Sequence, residues 1–178
     1  MKNQETGFTL IEAMLALLVA TILLLIAVPA FSNAASAAHN IAARGALASS
    51  LLDAATHSSV SGSEVVVCAG SLRCSRDPDW SGGWIVFSDL NGNRIRDGSE
   101  KVLRQASPLL GEVRLRSTPG RTRLVFQPNG GNAGSNATFT LCDSRGVAEA
   151  STLVVANDGR MRTGTPTAAA AQSCVYDN

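Results

Sequence analysis

The chain has 178 residues, with 15 basic and 14 acidic side chains and a formal net charge of +1. Bulk charge of that size does not point to nucleic acid, and the length suits one apolar helix plus one soluble domain. Both histidines, His39 and His57, precede residue 59, and no GxSxG, HExxH, P-loop or CxxC pattern occurs, so no catalytic residue is assigned and the chain reads as a non-enzyme.

From Phe8 to Phe31 there are 24 residues, of which Glu12 alone is charged. About 20 apolar residues suffice to cross a bilayer as a helix. A charge at the centre of such a helix costs ~2.5–3.5 kcal/mol on insertion scales and less near an end. Glu12 lies near an end, so it reaches water or has a partner. A secretory signal peptide cut after Ala34 or Ala35, or a plain signal anchor, is an alternative reading. Against the signal peptide, Glu5 offsets Lys2 and the apolar core exceeds the usual 7–15 residues.

The segment "GFTLIEAMLALLVATILLLIAVPAF" resembles the amino terminus of the type IV pilin and pseudopilin superfamily. The resemblance implies cleavage after Gly7 by a prepilin peptidase/N-methyltransferase, methylation of the new amino-terminal Phe8, and a role for Glu12 in docking the subunit into a filament. There Glu12 would pair with a neighbour's amino terminus, and because a lone buried charge is costly the pair would fix register.

After the leader, residues 1–7, a helix is expected over 8–58, transmembrane over 8–31, about 75 Å long at ~1.5 Å per residue. Thr9 and Thr21 are expected to bond back to helix carbonyls, and Pro29 to kink or loosen the helix. Ala34, Ala38, Ile41, Ala42, Leu47, Leu51, Leu52 and Ala55 form a rough apolar stripe facing the soluble domain. Gly45 reads as a close-packing point or soft spot, and the two histidines as structural or solvated.

From residue 59 to 178 the pattern changes to short strands. "SEVVVCA", "GGWIVFSD", "KVLRQAS", "GEVRLRS", "RTRLVFQP", "NATFTLCD" and "STLVVAND" alternate with Gly, Pro, Asn and Ser turns, which argues for an antiparallel β domain. Arg114 with Arg116, and Arg121 with Arg123, are expected to share a wet strand face. The tail from residue 163 reads as loop. Cys68, Cys74, Cys142 and Cys174 follow the apolar run, so export would permit disulfides. Of three pairings, Cys68–Cys74 with Cys142–Cys174 is favoured, since it closes one short loop and ties down the tail. The spacing does not suit zinc.

In "DLNGNRIRDGSE", Asp89, Asn91, Asn93, Asp97 and Glu100 occupy positions 1, 3, 5, 9 and 12 of a calcium loop, but Arg94 stands where the turn wants Gly. Asn-Gly and Asp-Gly equally make metal-free β turns. The loop is expected to be a hairpin connection, with calcium as a weaker candidate and no other cofactor.

The stretch "W…GGWIVFSDLNGNRIRDGSE" resembles pseudopilins of the FimT and GspH type. That resemblance implies an α+β fold: a long pilin-type helix packed on a mainly antiparallel, β-sandwich-like domain, with Trp84 and Phe87 as core anchors. It implies residence in a bacterial inner membrane with the carboxyl-terminal domain in the periplasm, and partnership with major and minor pilins and an inner-membrane assembly platform. Members serve type IV pili and twitching, type II secretion, or DNA uptake in natural transformation. Gly159, Arg160 and Arg162 in "DGRMRTG" resemble the Gly-Arg-x-Arg motif through which transformation-linked members contact DNA. Arginines two apart can fork onto adjacent phosphates of double-stranded DNA without reading sequence. Lys101, Arg104, Arg114, Arg116, Arg121 and Arg123, opposed between 101 and 123 by Glu112 alone, are further candidate contacts or a solvated face. The alternative is a purely structural subunit that binds no DNA.

Overall fold

Helix α1, Leu10–Ser61, begins where Thr9 caps it: the Thr9 hydroxyl and carbonyl both accept from the Glu12 amide, at 3.4 and 3.1 Å. Thr9 thus serves as a capping residue instead of bonding back to a carbonyl, and Glu12 sits in the first turn, where a negative charge suits the helix dipole. The computed structural model describes residues 9–133 and 136–177; the leader with Gly7, and Phe8 after it, lie outside them. The chain divides into two units after Ala35. In the first, α1 is long and apolar enough to cross a membrane, Thr21 Oγ1 donates to the Leu17 carbonyl, and the helix runs unbroken through Pro29.

The second unit holds the remainder of α1 and eight strands. These are β1 (Glu64–Ala69), β2 (Trp84–Asp89), β3 (Val102–Gln105), β4 (Arg114–Ser117), β5 (Arg123–Phe126), β6 (Ala137–Cys142), β7 (Ser151–Val155) and β8 (Met161–Gly164). They form two antiparallel sheets, in the orders β3-β2-β1-β5 and β4-β6-β7-β8. Ala43, Leu47, Leu51 and Ala54 of α1, spaced three and four apart, join one cluster with the inner faces of both sheets. Trp80 crosses Phe139 edge to face at 4.9 Å in that cluster.

The buried face of α1 differs from the apolar stripe. Ala38, Ile41, Ala42 and Leu52 are exposed, whereas Asn40, Ser50 and Ser58 are buried. Each of the three polar residues has a partner. Asn40 donates to Asp143 at 2.7 Å, Ser50 Oγ accepts from Trp84 Nε1 at 3.0 Å, and Ser58 Oγ donates to the Ser63 and Phe126 carbonyls. Gly45 packs on nothing, since an added Cβ there meets no atom within 4 Å.

The sheets also differ on their outer faces. On the first, Val66, Cys68, Ile85, Phe87 and Val125 are buried as a second cluster that includes Cys74. Phe87 therefore anchors the outer layer, while Trp84 belongs to the main core. Disulfides join Cys68 to Cys74 and Cys142 to Cys174. The tail is not loop as expected. Thr167 caps a second helix, α2 (Ala168–Tyr176), nucleated by four alanines and pinned by Cys174, with Ala171 and Cys174 buried against Cys142 and Ala150. By loop length, the Cys142–Cys174 link contributes about 3.5 kcal/mol through the unfolded chain.

Arg145, which the sequence reading passed over, grips Asp143 through Nε and Nη2, both at 2.8 Å. Burial works against the Asp143 carboxylate, yet hydrogen bonds from Arg145 and Asn40 outweigh it and hold its pKa below the usual value. A carboxyl whose folded pKa is depressed adds stability that is fully present above its unfolded value, ~3.9, and lost as pH falls through the folded one. Asp143→Ala should therefore destabilise the fold by about 1–3 kcal/mol at pH 7, since Asn40 is left unsatisfied. The deficit should shrink below pH 4 in urea melts followed by circular dichroism.

Candidate nucleic-acid interface

The turn Asn157–Gly159 joins β7 to β8. Ala156 donates to the Arg160 carbonyl at 2.8 Å, and Gly159 to the Ala156 carbonyl at 2.9 Å. Gly159 has φ +79°, and a Cβ on it would lie 2.9 Å from the Gly130 carbonyl oxygen. Glycine is thus required for conformation and for close approach. The loop of residues 127–132 clamps the turn, because the Asn132 amide donates to the Asn157 carbonyl.

Met161 packs against the main core, so Arg162 points to the outer face of the second sheet. Its side chain is exposed and has no hydrogen-bond or ion-pair partner among the described residues. Arg160, with its side chain 87% exposed, donates through Nε to Asp158 at 2.6 Å. Backbone and side-chain hydrogen bonds from Arg160 hold Asp158 below the usual carboxylate pKa. A phosphate approaching this tip meets one unpaired guanidinium and one that is shared with an acid.

The other candidate bases do not form a single patch. They divide between the two sheets, and most of them brace the fold. Arg104 of β3 bonds Ser49 and Asp53 of α1, and Arg123 of β5 donates to the Arg94 carbonyl. Arg114 and Arg116 lie on the outer face of β4 and donate to the Val175 and Asp177 carbonyls. They thereby cap the carboxyl end of α2, where cations suit the helix dipole. Arg121 precedes β5, so it does not share the expected strand face with Arg123. Lys101 is exposed just before β3. Sequence spacing could not show this dispersal, since β4 and β5 are neighbours in the chain but belong to different sheets.

The residues of the calcium-loop pattern hold their own loop. Asp89 accepts from the Gly92 and Arg94 amides, Glu100 from those of Leu90 and Asp97, and Asp97 from the Asn91 and Asn93 side chains. Any cation would compete with these six N–H groups. No cluster of three or more His, Cys, Asp or Glu suited to a metal occurs among the described residues. Arg96 donates to the Leu72 carbonyl and ties this loop to the Cys68–Cys74 loop.

Comparison with known proteins agrees with this architecture. The family described as Type II transport protein GspH matches residues 43–159, and the Prokaryotic N-terminal methylation motif matches residues 2–28. Two crystal structures of the type IV minor pilin FimU of Pseudomonas aeruginosa superpose with TM-scores of 0.55 and 0.57 at 18% and 16% identity. They cover 72% and 78% of this chain and 93% and 92% of FimU. The minor pseudopilin EpsH from the Type 2 Secretion System of Vibrio cholerae superposes with a TM-score of 0.52 at 11% identity, over 72% of this chain and 98% of EpsH. At these identities the likeness is one of fold. No curated protein matches the chain.

Gly159→Ala tests whether the turn is built as described. It should cost about 1–2 kcal/mol, more than a surface substitution, because the left-handed conformation and the Gly130 contact both oppose a Cβ. Chemical denaturation reads the loss, and Gly45→Ala, at an open helix position, should instead stabilise by up to ~1 kcal/mol.

Proposed function

The chain belongs to the GspH family, and on that premise we propose that it is a minor pilin or pseudopilin that also binds DNA without sequence preference, through Arg160 and Arg162, for uptake in natural transformation. In this reading the chain is anchored in a bacterial inner membrane by the first part of α1, with the second unit in the periplasm. The two disulfides support an oxidising compartment. A prepilin peptidase/N-methyltransferase cuts after Gly7 and methylates Phe8, supported by the methylation-motif match over residues 2–28. An inner-membrane platform then assembles the subunit among other pilins, with Glu12 as its register device.

The observation that carries the DNA proposal is the hairpin tip. Gly159 and its clamp hold Arg160 out in solvent, and Arg162, two residues on, is exposed without a partner among the described residues. One observation favours a second reading, a purely structural subunit of a pilus or of type II secretion. Arg104, Arg114, Arg116 and Arg123 are engaged within the chain, so few bases remain for phosphate.

Glu12→Ala should leave cleavage intact and lower the amount of this subunit in sheared filaments several-fold; unchanged incorporation would remove the register role. For DNA, the full chain in detergent is titrated with two unrelated duplexes across a salt series. Equal, roughly micromolar affinities that fall steeply with salt are expected, with most binding lost in the Arg160→Gln, Arg162→Gln double variant. Absence of binding at low salt would leave the structural reading.

A further inference from the structure

The outer face of the second sheet carries a groove of about 660 Å³ that opens beside Arg162. Its floor is Thr138 and Thr140 of β6 with Thr152 and Val154 of β7. Arg162 of β8 and Arg116 of β4 stand on opposite rims, three strand spacings apart, roughly 14 Å at ~4.8 Å each. One wall is the start of α2, with Thr167, Ala169 and Ala170. The volume falls in the range of ligand-binding pockets.

The chemistry of the lining points one way. Among the described residues, no Asp or Glu lines the groove. Both rims are cationic and the floor is rich in hydroxyls. The amino-terminal end of α2, whose first amides carry partial positive charge, opens on the same space. No aromatic ring lines it among the described residues, and these residues offer no platform on which bases could stack. Arg116 reaches the Asp177 carbonyl through Nη1 and so braces α2 while it lines the groove.

We infer that the groove seats one sugar-phosphate strand of DNA, backbone inward and bases outward, running from the Arg160 tip past Arg162 across the threonine floor towards Arg116. The inference rests on the DNA-binding reading above and extends its site from a hairpin tip to a track. Arg162 belongs to both parts and Arg160 to the tip alone. Binding in this orientation is indifferent to sequence, because phosphate and sugar make the contacts.

The test uses Ala169, which is exposed on the groove wall in the first turn of α2 and belongs neither to the core nor to the hairpin tip. An acid there suits the amino-terminal end of a helix, so Ala169→Glu should leave α2 intact, and circular dichroism confirms the fold. With full chain in detergent and a fluorescent duplex, Ala169→Glu should weaken binding about tenfold at low salt. Ala169→Lys should strengthen it and steepen the slope of log K against log salt by about 0.9, one added phosphate contact. If both variants bind as wild type while the Arg160→Gln, Arg162→Gln double variant does not, DNA stays at the tip and the groove is overturned while the DNA reading stands. If wild type itself does not bind, both fall. If Ala169→Glu leaves DNA affinity unchanged but blocks entry into filaments, the groove is a subunit contact and the proposal is likewise overturned.

Discussion

The fold of the second unit depends on one shared core, in which a single helix face is packed with the inner faces of two sheets. Leu47 and Leu51 are fully buried there beside Val65 and Val67 of β1 and Phe139 and Leu141 of β6. Truncating either leucine to alanine would cost about 2–5 kcal/mol, because it would leave a cavity in this shared core. Each sheet has one face committed to this core, and the outer faces have separate fates. The first sheet's outer face is closed by a cluster that includes the Cys68–Cys74 link, so its central strands are apolar on both sides. The second sheet's outer face keeps threonines and arginines, and α2 covers only part of it. Exposed basic and hydroxyl side chains therefore line the outer face of one sheet, whereas that of the other is closed by apolar contacts.

Seating the helix takes more than apolar contact. Asn40, Ser50 and Ser58 recur on its buried face, and each meets a fixed polar partner: Asp143, the Trp84 indole and the Phe126 carbonyl. Leucine and alanine contacts alone would tolerate small rotations of the helix. Three buried hydrogen bonds at set positions do not, because any slip strands a polar group away from water. Arg145 completes the first of them by neutralising Asp143.

The long apolar run and the seven strands written as segments could be read from the sequence, since each leaves a local signature in hydropathy or alternation; the burial of Trp84 follows from the family resemblance, and the disulfide arrangement is the favoured one of three possible pairings. The buried face of α1 could not. Hydropathy selected Ile41 and Leu52, which are exposed, and passed over Asn40, Ser50 and Ser58, whose burial depends on partners far along the chain. The helix in the tail was hidden because its alanines are weakly amphipathic and its anchors, Cys142 and Arg114, lie in other elements. At the candidate site, Gly159, Arg160 and Arg162 stand together at one hairpin, as their spacing implied. The bases between 101 and 123 are scattered, because adjacency in sequence does not fix sheet membership. Arg162 itself gives no sequence signal that it borders a groove, since β4, β6, β7 and β8 must first be joined in one sheet and α2 laid against its outer face.

These features describe a subunit whose helix and core are occupied with anchoring and packing, while one wet sheet face remains for a partner. Hydrogen–deuterium exchange of the full chain in detergent, with and without duplex DNA, tests that division most directly. Protection is expected in residues 157–164 and at the start of α2, with no change in the 89–100 loop or at residues 101–105. Protection confined to those last two segments, or none anywhere under conditions of measured binding, would contradict it.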